Sequence, residues 1–565
     1  MFDFLTQCIN SRNFENFSLA FSKKYCIILI MKNSKITQEI SEGKAVLGIE
    51  LGSTRIKAVL IDSEMNPVAS GDFSWESVLS DGIWTYSMEE IHSGVKAAYS
   101  ALKKDVAQKF GVKLSRLKAM GISAMMHGYL AFDKNGRLLV PFRTWRNTIT
   151  AQASKELTDL FNFPIPERWS IAHFYQAILN GEEHVAQVDY FTTLAGYIHQ
   201  ILCGQKVLGV GDASGMFPVD MDACSYDKKM LDLFNANKKV KAAISRPLES
   251  LLPKVLPAGK SGGNLTKEGA IWLDPEGDLE PGVLLAPPEG DAGTGMAATN
   301  AVSPRTGNIS SGTSVFAMVV LEKPLYKAYP GVIDIVATPD GKPTAMVHVN
   351  TCTAEYNKWV SIFGEAAKIL GAQFGTGQLY DSILGCAKDG EKDCGGVYSL
   401  GYISGESVTG FSEGRPLVVR SQDCNFTLQN FIRSQIYSAV ATLRIGMDVL
   451  FEGEKVQIDS LTGHGGFFKT EGVGLEVMAA AMHTPISAME TAGEGGPWGM
   501  ALLASYSADT KSKSLGEWLS SEVFSSAKIR TVRPDSADEE GFNKWLCGYK
   551  ETLKVERAAV ENLKF

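Results

Sequence analysis

"AVLGIELGSTRIKAVLID", residues 45–62, decides the fold. Its apolar residues run as in a strand, yet an acid, Glu50, stands among them and Gly52-Ser53-Thr54 follow at once. A buried carboxylate is costly without a partner. A glycine followed by two hydroxyls is a poor way to continue a strand. The pattern predicts two antiparallel strands with a turn near Gly52-Ser53, the acid and the turn facing phosphates and a metal. "SEMNP", 63–67, predicts a second turn leading to a third strand around "VASGDFSW".

Outward from this hairpin, residues 88–110 carry Ile91, Val95, Ala98 and Leu102 at helical spacing. "LKAMGISAMMHGYLAFD", 117–133, reads as a strand, a glycine turn and another strand, and helices with short loops are expected from about 150 to 205. The second half opens like the first. In "RTGNISSGTSVFAMVVLEKP", 305–324, Gly312-Thr313-Ser314 fall on Gly52-Ser53-Thr54, "VFAMVVL" falls on "RIKAVLI", and Ser310 falls on Glu50. The fold class is therefore α/β, with two similar domains and a cleft between them. The boundary is expected near 285–305, giving domains 44–300 and 301–555. Two further glycine-rich stretches, "LTGHGGFFKTEGVGLEVMAAAM" (461–482) and "TAGEGGPWGMALLASY" (491–506), each place glycines before a helix.

The chain has 565 residues, too many for a single core. A net charge of −8 argues against a broad nucleic-acid surface or a basic membrane face. Nine irregularly spaced cysteines, with no CxxC, read as reduced thiols of a cytoplasmic protein without a zinc or iron–sulfur site. No apolar run reaches transmembrane length. Residues 1–43 are expected to be an N-terminal extension, disordered or the product of a misassigned start, with Met31 opening the natural chain.

Glycine turns at strand ends expose N–H groups that hold anions. Four of them in one α/β chain point to a nucleotide. There is no G-x-x-x-x-G-K-[ST], and no G-x-G-x-x-G follows the first strand, so neither a P-loop nor a Rossmann site is expected.

Together the motifs resemble those of the actin–hexokinase superfamily. "GIELGSTRIKAVLID" resembles its first phosphate motif, "GNISSGTSVFAMV" its second, and "LTGHGGFFKTEGVG" its adenosine motif. "PPEGDAGTGMAA" resembles the segment that carries the catalytic aspartate of the FGGY carbohydrate kinases. The resemblance covers residues 44 to about 555. It implies two ribonuclease-H-like (actin-like ATPase) domains, sugar against the first and ATP against the second. Asp291 would be the general base, and Glu50 would help hold hydrated Mg²⁺. Gly52, Ser53, Thr54, Gly312, Thr313 and Ser314 would face the phosphates. Gly463, Gly465 and Gly466 would let adenosine approach the backbone, with Lys469 nearby, and Gly495 and Gly496 would close the adenine pocket or simply start a helix.

"SAMMHGYLAFD" resembles the Met-His-Gly segment of xylulokinases, which implies that Met126 and His127 line the sugar pocket. "FRTWRNTIT" lies where xylulokinases carry Trp-Asn-Asp, and here Trp145, Arg146 and Asn147 stand there. Trp145 and Asn147 are expected at the substrate. The loss of the aspartate and the arrival of an arginine, which recognises acids or phosphates, mark a divergent branch. "GYISGESVTGFSEG" keeps Ser-Gly-Glu of a family loop without its arginine. The expected activity is ATP-dependent phosphorylation of a ketose such as xylulose, or of a related ketose or polyol. The competing reading is an ATP-driven conformational switch without a sugar acceptor. The expected partners are a small sugar and a second copy in a homodimer, with no nucleic acid and no membrane.

Overall fold

The computed structural model describes residues 33–489, 495–509 and 512–564, so the reading of residues 1–32 lies outside the described residues. Residues 33–41 are helical, and Ile36 and Ile40, one turn apart, are buried in the first domain's core. Glu39 on this helix accepts hydrogen bonds from the Ser63 N–H (3.0 Å) and hydroxyl (2.6 Å). The expectation of a disordered extension is thus corrected from residue 33 onward, because an i, i+4 isoleucine pair buries apolar surface on the sheet domain.

Two mixed sheets carry the fold, and their centres have the same strand order. In the first, Pro67–Ser74, Arg55–Ile61 and Val46–Leu51 run antiparallel, then Ala119–Ala124 lies parallel to Val46–Leu51 and Glu289–Gly290 parallel to Ala119–Ala124. In the second, Pro343–Val349, Val315–Val320 and Thr306–Ser311 run antiparallel, followed in parallel by Ser460–Gly465 and Ile486–Met489. The short repeat in the sequence is therefore a repeat of topology. Its alignment slips by one residue, however. Leu51 pairs with Ile56 across four residues, whereas Ser311 pairs with Val315 across three. Lys57 thus corresponds to Phe316, not to Ala317. With side chains alternating faces, a turn one residue shorter must be matched by a one-residue shift, or the strand's buried set would face the wrong way.

On the outer face of the first sheet lies the helix Met88–Phe110, capped by Ser87 and ended by Gly111 at φ 70°. Gly71 makes its close approach possible: a Cβ there would stand 2.3 Å from the Ala98 carbonyl oxygen. The helix Leu428–Asp448 belongs to the core on the outer side of the second sheet. Two helices lie between the sheets, Asp291–Ala298 and Gly495–Asp509. The latter comes late in the chain yet packs on the first sheet. A Cβ on Gly48 would stand 2.0 Å from the Pro497 carbonyl oxygen. Trp498 and Met500 share one core with Val46 and Val59 of the first sheet and with Met318 and Val320 of the second. The described cysteines are free thiols, and no helix among the described residues is long and apolar enough to cross a membrane.

Candidate functional site

The two hairpin turns are built alike. In the first, the Gly52 carbonyl accepts from the Trp75 indole (2.7 Å), the Ser53 carbonyl from the Tyr86 hydroxyl (2.7 Å) and the Thr54 carbonyl from the Trp75 N–H (3.2 Å). Trp75 and Tyr86 stack at 4.2 Å, fixing both donors. In the second, the Gly312 carbonyl accepts from the Thr353 hydroxyl (2.8 Å) and N–H (3.1 Å), and the Thr313 carbonyl from the Cys352 N–H (2.8 Å). Each turn's carbonyls are tied back into the protein. The N–H groups of Ser53, Thr54, Thr313 and Ser314 meet no acceptor among the described residues. Turns with occupied carbonyls and open N–H groups are anion sites.

Asp291 begins the helix Asp291–Ala298, directly after the strand Glu289–Gly290. Its Oδ1 accepts from the Met126 N–H (3.1 Å) and the Ala292 N–H (3.0 Å), while Oδ2 makes no protein hydrogen bond among the described residues. The side chain is open to solvent, yet it stands in a protein-lined cleft that pushes its carboxyl above the usual range. Glu50 lies nearby on Val46–Leu51. Burial and the like charge of Asp291 push its carboxyl up to about 7, against the pull of Lys57 opposite it on the next strand. Glu50 makes no hydrogen bond or ion pair with a described residue, and the neighbouring Arg55 is spent on Asp72 at 3.6 Å. A Cβ on Gly496 would stand 1.9 Å from Glu50 Oε1, so glycine is what lets the helix Gly495–Asp509 begin at this carboxylate. The unpartnered Glu50 beside Asp291 fits a divalent cation. The described residues bring together no group of three or more metal-ligating side chains. The one unpartnered carboxylate, Glu50, would suit Mg²⁺, which keeps water and phosphate oxygens as most of its shell.

Two more acids lie beneath Asp291, and sequence reasoning passed over their role. Glu289 is 2% exposed and accepts from the N–H groups of Gly211, Asp212 (both 3.0 Å) and Gly290 (3.2 Å). Asp212 is 1% exposed; its Oδ2 accepts from the Thr193 hydroxyl (2.6 Å) and its Oδ1 has no partner. Burial raises both, Glu289 to about 8 and Asp212 to about 7. The segment "PPEGDAGTGMAA" contains Glu289, but only the tertiary structure brings Asp212 to it.

Met126 contributes its N–H to Asp291, and its side chain packs under Gly290. His127, at φ 70°, directs Nδ1 at the Gly215 carbonyl (3.0 Å), which can only accept, so Nδ1 carries the proton and Nε2 is an acceptor. Burial lowers its pKa to about 3, which keeps the ring neutral. Trp145 donates its indole N–H to Ser53 Oγ (3.2 Å), joining its segment to the first hairpin turn. Asn147 has a different job from the one expected. Its Oδ1 accepts from the Trp84 N–H (2.8 Å), and its Nδ2 donates to the carbonyls of Trp84 (2.8 Å) and Thr144 (3.0 Å). Buried and with three hydrogen bonds to backbone, this amide anchors the segment.

At the nucleotide end, Gly465 has φ 106°, and a Cβ there would stand 2.0 Å from the Ser311 carbonyl oxygen. Gly463 lies under the Phe468 ring, where a Cβ would come within 2.5 Å of it, and Gly466 opens onto empty space. Lys469 is exposed at the end of the short helix Gly466–Lys469. Gly495 and Gly496 open the helix that begins at Glu50. Across the domains, Arg168 forms an ion pair with Asp334, and the Ala337 N–H donates to Ser214 Oγ (2.9 Å).

Residues 45–273 match the N-terminal domain of the FGGY family of carbohydrate kinases and residues 307–508 its C-terminal domain. The chain is 22% identical over 483 residues to a xylulose kinase of Haemophilus influenzae, covering 80% of this chain and 91% of that one. Two solved structures from Lactobacillus acidophilus share the fold. A gluconate kinase has a TM-score of 0.73 at 17% identity, and a ligand-bound xylulose kinase has 0.72 at 18%; each match covers 91% of this chain and 98% of the other. The fold alone therefore does not choose the acceptor. With both halves matched in order and the acid, turns and cleft in place, the chain belongs to the FGGY family of carbohydrate kinases.

Proposed function

We propose that this ATP-dependent carbohydrate kinase phosphorylates a ketose such as xylulose, or a related ketose or polyol, with Asp291 as general base. The observation that carries the reading is the free Oδ2 of Asp291, solvent-open, above-normal in basicity and close enough to Glu50 for the two charges to act on each other. Phosphoryl transfer calls for positioning, charge neutralisation and one modest base. The N–H groups of Ser53, Thr54, Thr313 and Ser314 bind phosphate oxygens from the two sides of the cleft. Neutral His127 accepts a sugar hydroxyl at Nε2. Asp291 Oδ2 takes the proton of the attacking hydroxyl, while the two N–H bonds to Oδ1 keep the carboxylate aimed. Glu50 would hold Mg²⁺ through water, and the ion would supply positive charge to the phosphates. Closure of the domains, with Arg168 and Asp334 meeting across the cleft, keeps water from the reacting phosphate. The acceptor-free switch is not favoured, since the family is one of carbohydrate kinases.

The test is ADP release with Mg-ATP across ketopentoses, ketotetroses, polyols and sugar acids, for wild type and Asp291→Ala. One acceptor that raises release far above background, lost in the variant, supports the reading. Hydrolysis that no acceptor stimulates and that survives Asp291→Ala overturns it.

A further inference from the structure

Arg146 is the cation that the reading above leaves unused. Its guanidinium lies over the Trp84 ring at 3.8 Å and donates to Ser77 Oγ at 2.6 Å. Among the described residues no carboxylate lies within ion-pair distance of it, whereas Arg143, Arg168 and Arg55 on the same domain all have one. Stacking fixes the plane, a single hydrogen bond fixes its rotation, and the other N–H donors stay free on an exposed side chain. That is a preorganised fork for a planar or tetrahedral anion.

Its position ties it to the acceptor. Tyr129 and Arg143 form an antiparallel bridge, and the Met126-His127 and Trp145-Arg146 pairs leave that bridge at the same end. Met126 holds Asp291 and Trp145 holds Ser53. Thr144 and Asn147, on either side of the Trp145-Arg146 pair, are bound to the Trp84 backbone, so Arg146 rides on an anchored loop. Tyr86, whose hydroxyl binds the first phosphate turn, lies within reach of the Arg146 charge. The cleft otherwise presents the carboxyls of Glu50 and Asp291, so an unpaired cation beside it favours an acceptor that brings its own negative charge.

We propose that Arg146 reads an anionic group on the acceptor, so that the preferred substrate is a sugar bearing a carboxylate or a phosphate away from the reacting hydroxyl. This inference rests on the kinase reading. The experiment measures kcat/KM with Mg-ATP for matched acceptors: neutral ketoses, the corresponding keto-sugar acids and ketose monophosphates. Wild type is compared with Arg146→Gln and Arg146→Lys, with Tm checked for each. The expected result is a wild-type preference for one anionic series, which then identifies carboxylate or phosphate as the group read. The anionic-to-neutral ratio should fall about 10- to 100-fold in Arg146→Gln, through KM, and recover in part in Arg146→Lys. A wild-type preference for neutral ketoses, or a ratio that Arg146→Gln leaves in place, overturns this inference and leaves the kinase standing. Failure of every acceptor to stimulate wild type overturns the kinase reading and this inference together.

Discussion

The hairpins at 46–61 and 306–320 share topology, backbone ties and open N–H groups, yet only the first carries an acid. Glu50 and Ser310 occupy equivalent places, opposite Ser123 and His464 on the parallel neighbours. The ties differ too. The first turn is held by the Trp75 and Tyr86 side chains, the second by the start of the helix Thr353–Ile369. On the proposed reading, one turn design would serve two ends of a triphosphate, with the acid on the side of the proposed base Asp291 and a hydroxyl on the other.

The largest effect expected within this comparison is outside both hairpins. Asp291→Asn should lower kcat about 10²- to 10⁴-fold, with KM for ATP near wild type, as read by steady-state kinetics. Next comes the asymmetry itself. Glu50→Ser, which makes the first hairpin resemble the second, should lower activity about 10- to 100-fold and raise the Mg²⁺ concentration needed for half-maximal rate. Ser310→Ala should stay within about fivefold of wild type. Equal losses in a Mg²⁺ titration of the two variants would break the comparison. Gly496→Ala should act on the first hairpin alone, costing about 1–3 kcal/mol by overpacking against Glu50, with the Mg²⁺ requirement rising alongside the loss of Tm.

Smaller effects test the ties. Trp75→Phe and Thr353→Ala each remove one hydrogen bond to a turn carbonyl, about 1 kcal/mol apiece, and should raise KM for ATP a few-fold. Trp75→Phe should do more, because Thr353→Ala leaves the Thr353 N–H on the Gly312 carbonyl. The smallest effect concerns the acids below Asp291. Burial pushes the Asp212 and Glu289 carboxyls up to about 7 and about 8 in the folded protein, against about 4 in the unfolded chain. Folding therefore takes up protons, and the stability they add is complete at pH 4 and lost as pH rises through 7–8. Asp212→Asn should flatten that decline, lifting Tm at pH 8 relative to pH 5 by about 1–3 °C in a thermal shift series. A parallel decline in both proteins would show that the pair does not set it.

Much of the fold was legible because it rests on short-range signals. The hairpin, the helix from Met88 and the glycine turns follow from alternation, periodicity and capping, which depend on neighbours in the chain. Asp291 was legible as a residue in a recognisable segment. Asn147 was not, because an amide next to a tryptophan reads the same whether it meets a sugar or the Trp84 backbone. Asp212 was hidden too, since its partner Glu289 lies 77 residues away.

By itself the sequence determined two α/β halves, each opened by a glycine-turn hairpin, with an acid in the first and a hydroxyl in the second. It also determined the order of phosphate, base and adenosine motifs. Only the tertiary structure decided that the helix Gly495–Asp509 crosses back to the first sheet and begins at Glu50, that Met126 aims Asp291, and that Arg146 lies over Trp84 with no carboxylate partner among the described residues. The reason is physical. Local preferences need a few residues, whereas burial, charge pairing and hydrogen-bond satisfaction are settled between segments that meet only when the core closes.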